Sequence, residues 1–109
     1  MDSTGSVMEI DEKGFDTFVR SHRAVVIDFW GPSCAPCKMI SPILESLAID
    51  MKGQVAFGKI DVTKNIKLVS TMMIRSIPTL VFYKAGKKVK ETQGFLPRNR
   101  LQQEIKEIL

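Results

Sequence analysis

The stretch "AVVIDFWGPSCAPCKMI", residues 24–40, changes its period halfway along. Ala24 to Trp30 is a nearly continuous apolar run rich in β-branched residues, the pattern of a central strand covered on both faces. Asp28 is its one charged interruption. From Cys34 onward, Ile40, Ile43, Leu44, Leu47 and Met51 recur at three- and four-residue steps, which is one face of a helix. Pro42 falls inside that pattern, removes a backbone donor and crowds the carbonyl of Lys38, so a kink is expected there. The chain's only two cysteines, Cys34 and Cys37, stand where the strand gives way to the helix.

Working outward, a short strand near Val7 to Ile10 precedes a helix whose start is marked by Asp11 as cap, Glu12 at the positive end, and Ile10 stapled against Phe15. Phe15, Phe18 and Val19 form its buried stripe, and Arg20, His22 and Arg23 lie near its negative end. Downstream, "VAFGKID" (55–61) reads as a strand and "KNIKLVSTM" (64–72) as a short helix. "TLVFYK" (79–84) and "KVKETQ" (88–93) read as two strands turning at Ala85-Gly86. Pro97 opens a last helix with Leu101, Ile105, Ile108 and Leu109 on its inner side. The order is β-α-β-α-β-α-β-β-α. Early alternation implies parallel pairing and the late hairpin adds antiparallel strands, giving an α/β fold with a central mixed five-stranded sheet flanked by four helices.

With 109 residues and 44% apolar content, the chain fits one domain able to bury its own core. Residues 1–6, "MDSTGS", read as a flexible leader and residues 7–109 as the domain. The start lacks a basic, apolar targeting pattern and no segment approaches the roughly 20 apolar residues of a membrane span. A cytoplasmic protein with no membrane association is expected, and in that setting a lone C-x-x-C is catalytic or metal-binding rather than part of a disulfide framework. The net charge of +4 is spread along the chain among 12 acidic residues, which argues for ordinary surface charge and against nucleic-acid binding. Lys84, Lys87, Lys88 and Lys90 flank the hairpin turn, where lysines also blunt an exposed sheet edge.

At a strand-to-helix junction the unpaired N–H groups of the first turn point toward Cys34 and stabilise a thiolate. In C-x-x-C settings this lowers the nucleophilic thiol's pKa from about 8.5 to about 7. Pro36 suits the first turn because no intrahelical donor is lost there. Cys37, one turn further on, is within reach of a mixed disulfide formed at Cys34, so two electrons can move. As a mere staple, so small a ring would contribute only about 2 kcal/mol, against about 4.7 for a 100-residue loop. A zinc site wants four ligands, and the chain offers two thiols and His22 in another segment, which leaves a zinc bridge between two chains open.

"DFWGPSCAPCKMISP", "IRSIPTLVFYKAGKKV" and "QGF" together resemble the thioredoxin family over nearly the whole chain after residue 6. The resemblance implies a thioredoxin fold and a general protein-disulfide reductant. It makes Cys34 the attacking thiol and Cys37 the resolving one. It makes Asp28 the buried carboxylate that manages the proton of Cys37, with Lys59 beside it. A carboxyl inside an apolar strand should indeed have a raised pKa. Lys59 alone reads as surface charge, and Asp28 alone could be a carboxylate satisfied at a strand end. Ile77-Pro78 matches the family's cis-proline loop, which packs against the cysteines and offers backbone groups to an extended substrate. Gly94 matches a glycine that lets a substrate backbone approach, and Trp30 a tryptophan beneath the active site. Pro36 and Ala35 lie within the redox ring.

Two positions depart from the family pattern. Ser33 stands where a second tryptophan is usual, which removes an aromatic contact surface beside Cys34. Ala35 stands where glycine is usual, inside the ring that sets the reduction potential. Met72 and Met73 precede the Ile-Pro loop and suit either helix-end packing or an adaptable docking surface.

The function expected is thiol–disulfide exchange through Cys34-Ala35-Pro36-Cys37, without cofactor or resident metal, by a monomer whose partners are thioredoxin reductase and disulfide-containing proteins. Three other readings share the motif: a non-catalytic interaction module of the same fold, a more oxidising oxidase or isomerase, and a soft-metal carrier using both thiolates.

Overall fold

The computed structural model describes residues 5–109. Most of the leader expected over residues 1–6 therefore lies outside the described residues. Nine elements follow in the expected order: β1 (Val7–Glu9), α1 (Phe15–Arg20), β2 (Ala24–Trp30), α2 (Ala35–Asp50), β3 (Ala56–Asp61), α3 (Ile66–Thr71), β4 (Thr79–Lys84), β5 (Lys87–Gln93) and α4 (Arg98–Lys106). They build one sheet in the order β1-β3-β2-β4-β5. The first three strands are mutually parallel, while β4 and β5 run antiparallel to their neighbours.

Strand β2 is central and its side chains alternate between two cores. Ala24 and Val26 join Phe57, Leu80 and Phe82 under α2 and α4, where Leu44, Leu47, Leu101 and Ile105 pack down on them. Val25, Ile27 and Phe29 face the other way, toward Val81 and Ile60 and the side chains of α1 and α3. By the same alternation Asp28 falls on the α2 side. Its strand neighbours are Lys59 on β3 and Leu80 on β4.

The long helix α2 runs through Pro42 to Asp50 with its apolar stripe buried as expected. The hairpin turn is made by Ala85 at φ 52° and Gly86 at φ 80°, the left-handed pair that a two-residue turn between twisted strands requires. Strand β5 is a sheet edge, and two of its lysines form ion pairs: Lys88 with Glu91, and Lys90 with Glu104 of α4 and with Glu107, which follows that helix. Lys84 donates to the Leu109 carbonyl at 3.4 Å.

Several boundaries differ from the sequence expectations. Asp11 caps a turn rather than the helix: its Oδ1 accepts from Gly14 N–H at 2.9 Å, and α1 begins only at Phe15. Glu12 serves a different helix, its Oε1 accepting from Leu68 N–H in the first turn of α3 at 3.1 Å. In return Asn65 Oδ1 accepts the Glu12 N–H at 2.8 Å. The two residues make a capping box across the chain instead of within one helix. Pro97 is the N-cap of α4 rather than its first residue. Leu109 is exposed, unlike Leu101, Ile105 and Ile108.

Candidate redox site

Cys34 has extended backbone and caps α2; Ala35 and Pro36 follow as its first two residues, and Cys37 lies on the buried side of the first turn. The two cysteines form a disulfide with Cα atoms 5.2 Å apart. Cys37 N–H donates to Cys34 Sγ at 3.1 Å, so the sulfur occupies the place where a serine or aspartate oxygen would cap a helix. The positive end of a 16-residue helix thus points at this sulfur, as the junction predicts. Cys34 retains more exposure than Cys37, 8% against 3%, and the residues round it, Pro32, Ser33, Ala35 and Pro36, are exposed.

Behind Cys37 lies a cleft of about 120 Å³. Asp28, Trp30 and Lys59 line it together with Cys37 itself, and Gly31, Pro32, Lys38 and Ser41 complete the wall. Asp28 is buried, and its Oδ1 has no hydrogen-bond partner among the described residues. Burial pushes its carboxyl up to about 7, against a smaller opposing pull from the Lys59 ammonium. A carboxylate satisfied by hydrogen bonds at a strand end would not leave an oxygen without a partner. Parallel register places Lys59 opposite Asp28, and its ammonium sits 5.6 Å from the centre of the Trp30 ring. Lys59 is half-buried, and its ammonium lies within cation–π range of that ring. The indole Nε1 of Trp30 is a second buried polar atom with no partner among the described residues.

The Ile77–Pro78 peptide bond is cis. Pro78 is buried, and its carbonyl accepts the Gly94 N–H at 2.8 Å, tying two segments of the expected substrate surface together. Gly94 has φ +83°, which explains a glycine there, and a Cβ built on it would meet nothing within 4 Å. Space in front of it is open. Met72 and Met73 differ in environment. Met72 packs into the core near Tyr83, whose hydroxyl lies 3.8 Å from its Sδ, whereas Met73 is exposed at φ 56°.

Sequence reasoning missed Gly31. A Cβ on it would come within 2.8 Å of Ile77 Cδ1, so the absence of a side chain lets the Ile-Pro loop lie close to the segment leading into Cys34. No local pattern announces so distant a contact. Ser41 was also missed, although its four-residue spacing from Cys37 places both on one side of α2. Among the described residues, no three of His, Cys, Asp and Glu gather where a metal ion could be held, and no helix is long and apolar enough to cross a membrane.

Comparison with known proteins agrees with this geometry. A family model described as thioredoxin matches residues 6–107. A thioredoxin from Chlorobaculum thiosulfatiphilum is 38% identical over 104 residues, spanning 94% of this chain and 96% of its own. One from Alicyclobacillus acidocaldarius subsp. acidocaldarius is 32% identical over 104 residues, spanning 95% and 99%. Among solved structures, a single-site mutant of the thioredoxin from Halobacterium salinarum NRC-1 superposes with a TM-score of 0.91 at 29% identity, covering 99% of this chain and 95% of that one.

Proposed function

This chain belongs to the thioredoxin family and is a thiol–disulfide oxidoreductase, and on that premise we propose that it works as a reductant of protein disulfides with Cys34 as its nucleophile. In the reduced protein the Cys34 thiolate, held at the N-terminus of α2, attacks one sulfur of a target disulfide. The target's other sulfur leaves as a thiolate, and a mixed disulfide joins Cys34 to the target. Cys37 then gives its proton to the Asp28 carboxylate and attacks Cys34 Sγ, expelling the target's second thiolate. The target has gained two electrons and the Cys34–Cys37 disulfide has formed.

The observation that carries this reading is the seating of Cys34 Sγ as the helix cap, with Cys37 N–H aimed at it and a buried carboxyl of raised pKa lining the cleft behind Cys37. Lys59 limits how far the Asp28 pKa rises, and the Trp30 ring lies beside its ammonium and lines the same cleft. Ser33, Ala35, Pro36, the Ile77-Pro78 loop and Gly94 form the surface on which an extended target strand lies. Two partners follow: target proteins that carry disulfides, and a thioredoxin reductase that returns two electrons to the oxidised pair. The same reading assigns the protein to the cytoplasm as a monomer, without nucleic-acid or membrane partners and without a bound cofactor.

Insulin reduction driven by dithiothreitol tests the assignment. Cys34→Ser should fall to the rate without protein, while Cys37→Ser should accumulate a mixed disulfide on Cys34. A Cys34→Ser variant as active as the parent refutes it. Equilibration with glutathione sets the direction of electron flow: a potential near about −120 mV rather than about −270 mV would make the protein an oxidant instead.

A further inference from the structure

The cleft behind Cys37 contains one hydroxyl, that of Ser41. It lies one turn beyond Cys37 on the same helix and lines the cleft together with Asp28 and Lys59. Two buried polar atoms belong to residues of that cleft, Asp28 Oδ1 and Trp30 Nε1, and neither has a partner among the described residues. Such atoms are ordinarily satisfied by ordered water, which needs roughly 10–15 Å³ of room and two to four polar partners. The cleft, at about 120 Å³, provides the room. A carboxyl oxygen, an indole N–H, an ammonium and a hydroxyl provide the partners. Of these only the hydroxyl both donates and accepts without changing its charge, so it can orient a water whichever way the proton is moving.

We propose that Ser41 is a positioning residue whose hydroxyl holds the water that carries the Cys37 proton to Asp28. The inference rests on the reading of Asp28 as acceptor of that proton. In the step, the Cys37 S–H gives its proton to the water, the water passes one to the Asp28 carboxylate, and the resulting thiolate attacks Cys34 Sγ. The charged and titratable groups around the carboxyl are Lys59 from β3 and Cys37 and Lys38 from α2; β4 presents apolar Leu80. Ser41 is thus the only neutral relay on the wall.

Reduced protein mixed with an excess of Ellman's reagent separates the two sulfurs, because attack by Cys34 releases the first aromatic thiolate and displacement by Cys37 the second. Ser41→Ala should leave the first release at the parent rate and slow the second roughly tenfold at neutral pH, less than the about 10²–10⁴ that a positioned general base supplies. Its pH profile for the second release should move, and Ser41→Thr, which keeps the hydroxyl, should follow the parent. Superimposable second-phase profiles for Ser41→Ala and parent overturn the proposal, as does a Ser41→Thr variant as slow as Ser41→Ala. Asp28→Asn separates the two failures. If it slows the second release and Ser41→Ala does not, the Ser41 proposal alone falls; if it changes nothing, the Asp28 reading falls and takes this one with it.

Discussion

The layer between the sheet and α2 has two ends built to different standards. Toward the C-terminal half of the helix, Leu44, Leu47 and Ala48 close on Val26, Phe57 and Phe82, with Leu101 and Ile105 of α4 behind them, and every one of these side chains is buried and apolar. Two turns back, the same layer holds a carboxyl with an unpartnered oxygen, an unpartnered indole N–H, a lysine and a cysteine round an open cleft. The first end contributes stability. The second gives some of it up, since an ionised group taken out of water without a full set of partners costs free energy. Reactivity in this molecule is confined to the end where packing stops.

The sharpest way to break the comparison is to damage each end and ask what changes. Phe82→Ala at the packed end should cost about 3–5 kcal/mol in a denaturant titration, the usual range for emptying a closed apolar site. It should leave the pH dependence of disulfide exchange as it was. A shift in that profile would show that the two ends are coupled.

At the reactive end the expected sign is opposite. The folded protein holds a proton on Asp28 up to about pH 7, whereas the unfolded chain releases it near the ordinary carboxyl value of 3.8. Between those values the native state binds more protons than the unfolded state, so stability falls as pH rises and levels off above about 7. Asp28→Asn removes this loss. The variant should be more stable than the parent at pH 8 by on the order of 4 kcal/mol at most, with the gain shrinking toward zero as pH falls to about 4. Thermal unfolding across that range checks it, and a gain independent of pH would assign the effect to packing instead.

A smaller effect is expected at Met73. The end of α3 is a Schellman turn: Ile74 N–H donates to Val69 O and Met73 N–H to Ser70 O, both at 3.1 Å. Met73 occupies the left-handed position that glycine prefers, at φ 56°. Relief of that strain, partly offset by glycine's greater freedom in the unfolded chain, should make Met73→Gly more stable by about 0.5–1 kcal/mol. Loss of activity in a more stable Met73→Gly protein would show that the exposed methionine contacts targets.

What could be read in advance follows the strength of local signals. Strand β2 and the start of α2 were legible because a run of β-branched residues, a change of period and a proline in the first turn all point the same way. The start of α1 was not, since Asp11 and Glu12 have the chemistry of a helix cap and spend it elsewhere, on the turn at Gly14 and on α3. At the site, Cys34 and Cys37 declare themselves by spacing, and Asp28 by being a charge in an apolar strand. Lys59 is marked in the sequence by the resemblance alone and is set opposite Asp28 by strand register, and Gly31 matters through the approach of Ile77. Both depend on contacts that no local pattern encodes. The left-handed turn after α3 was hidden for another reason, because the residue that normally advertises it is absent.

Asp28 reaches the cleft because it is an even-numbered residue in a strand whose even side chains face α2. Insert or delete one residue in the first half of β2, and the carboxyl is delivered to the layer beneath α1 and α3, far from either sulfur. If Asp28 takes the Cys37 proton as proposed, electron transfer hangs on the parity of a count, and the first half of that strand can change in composition far more freely than in length.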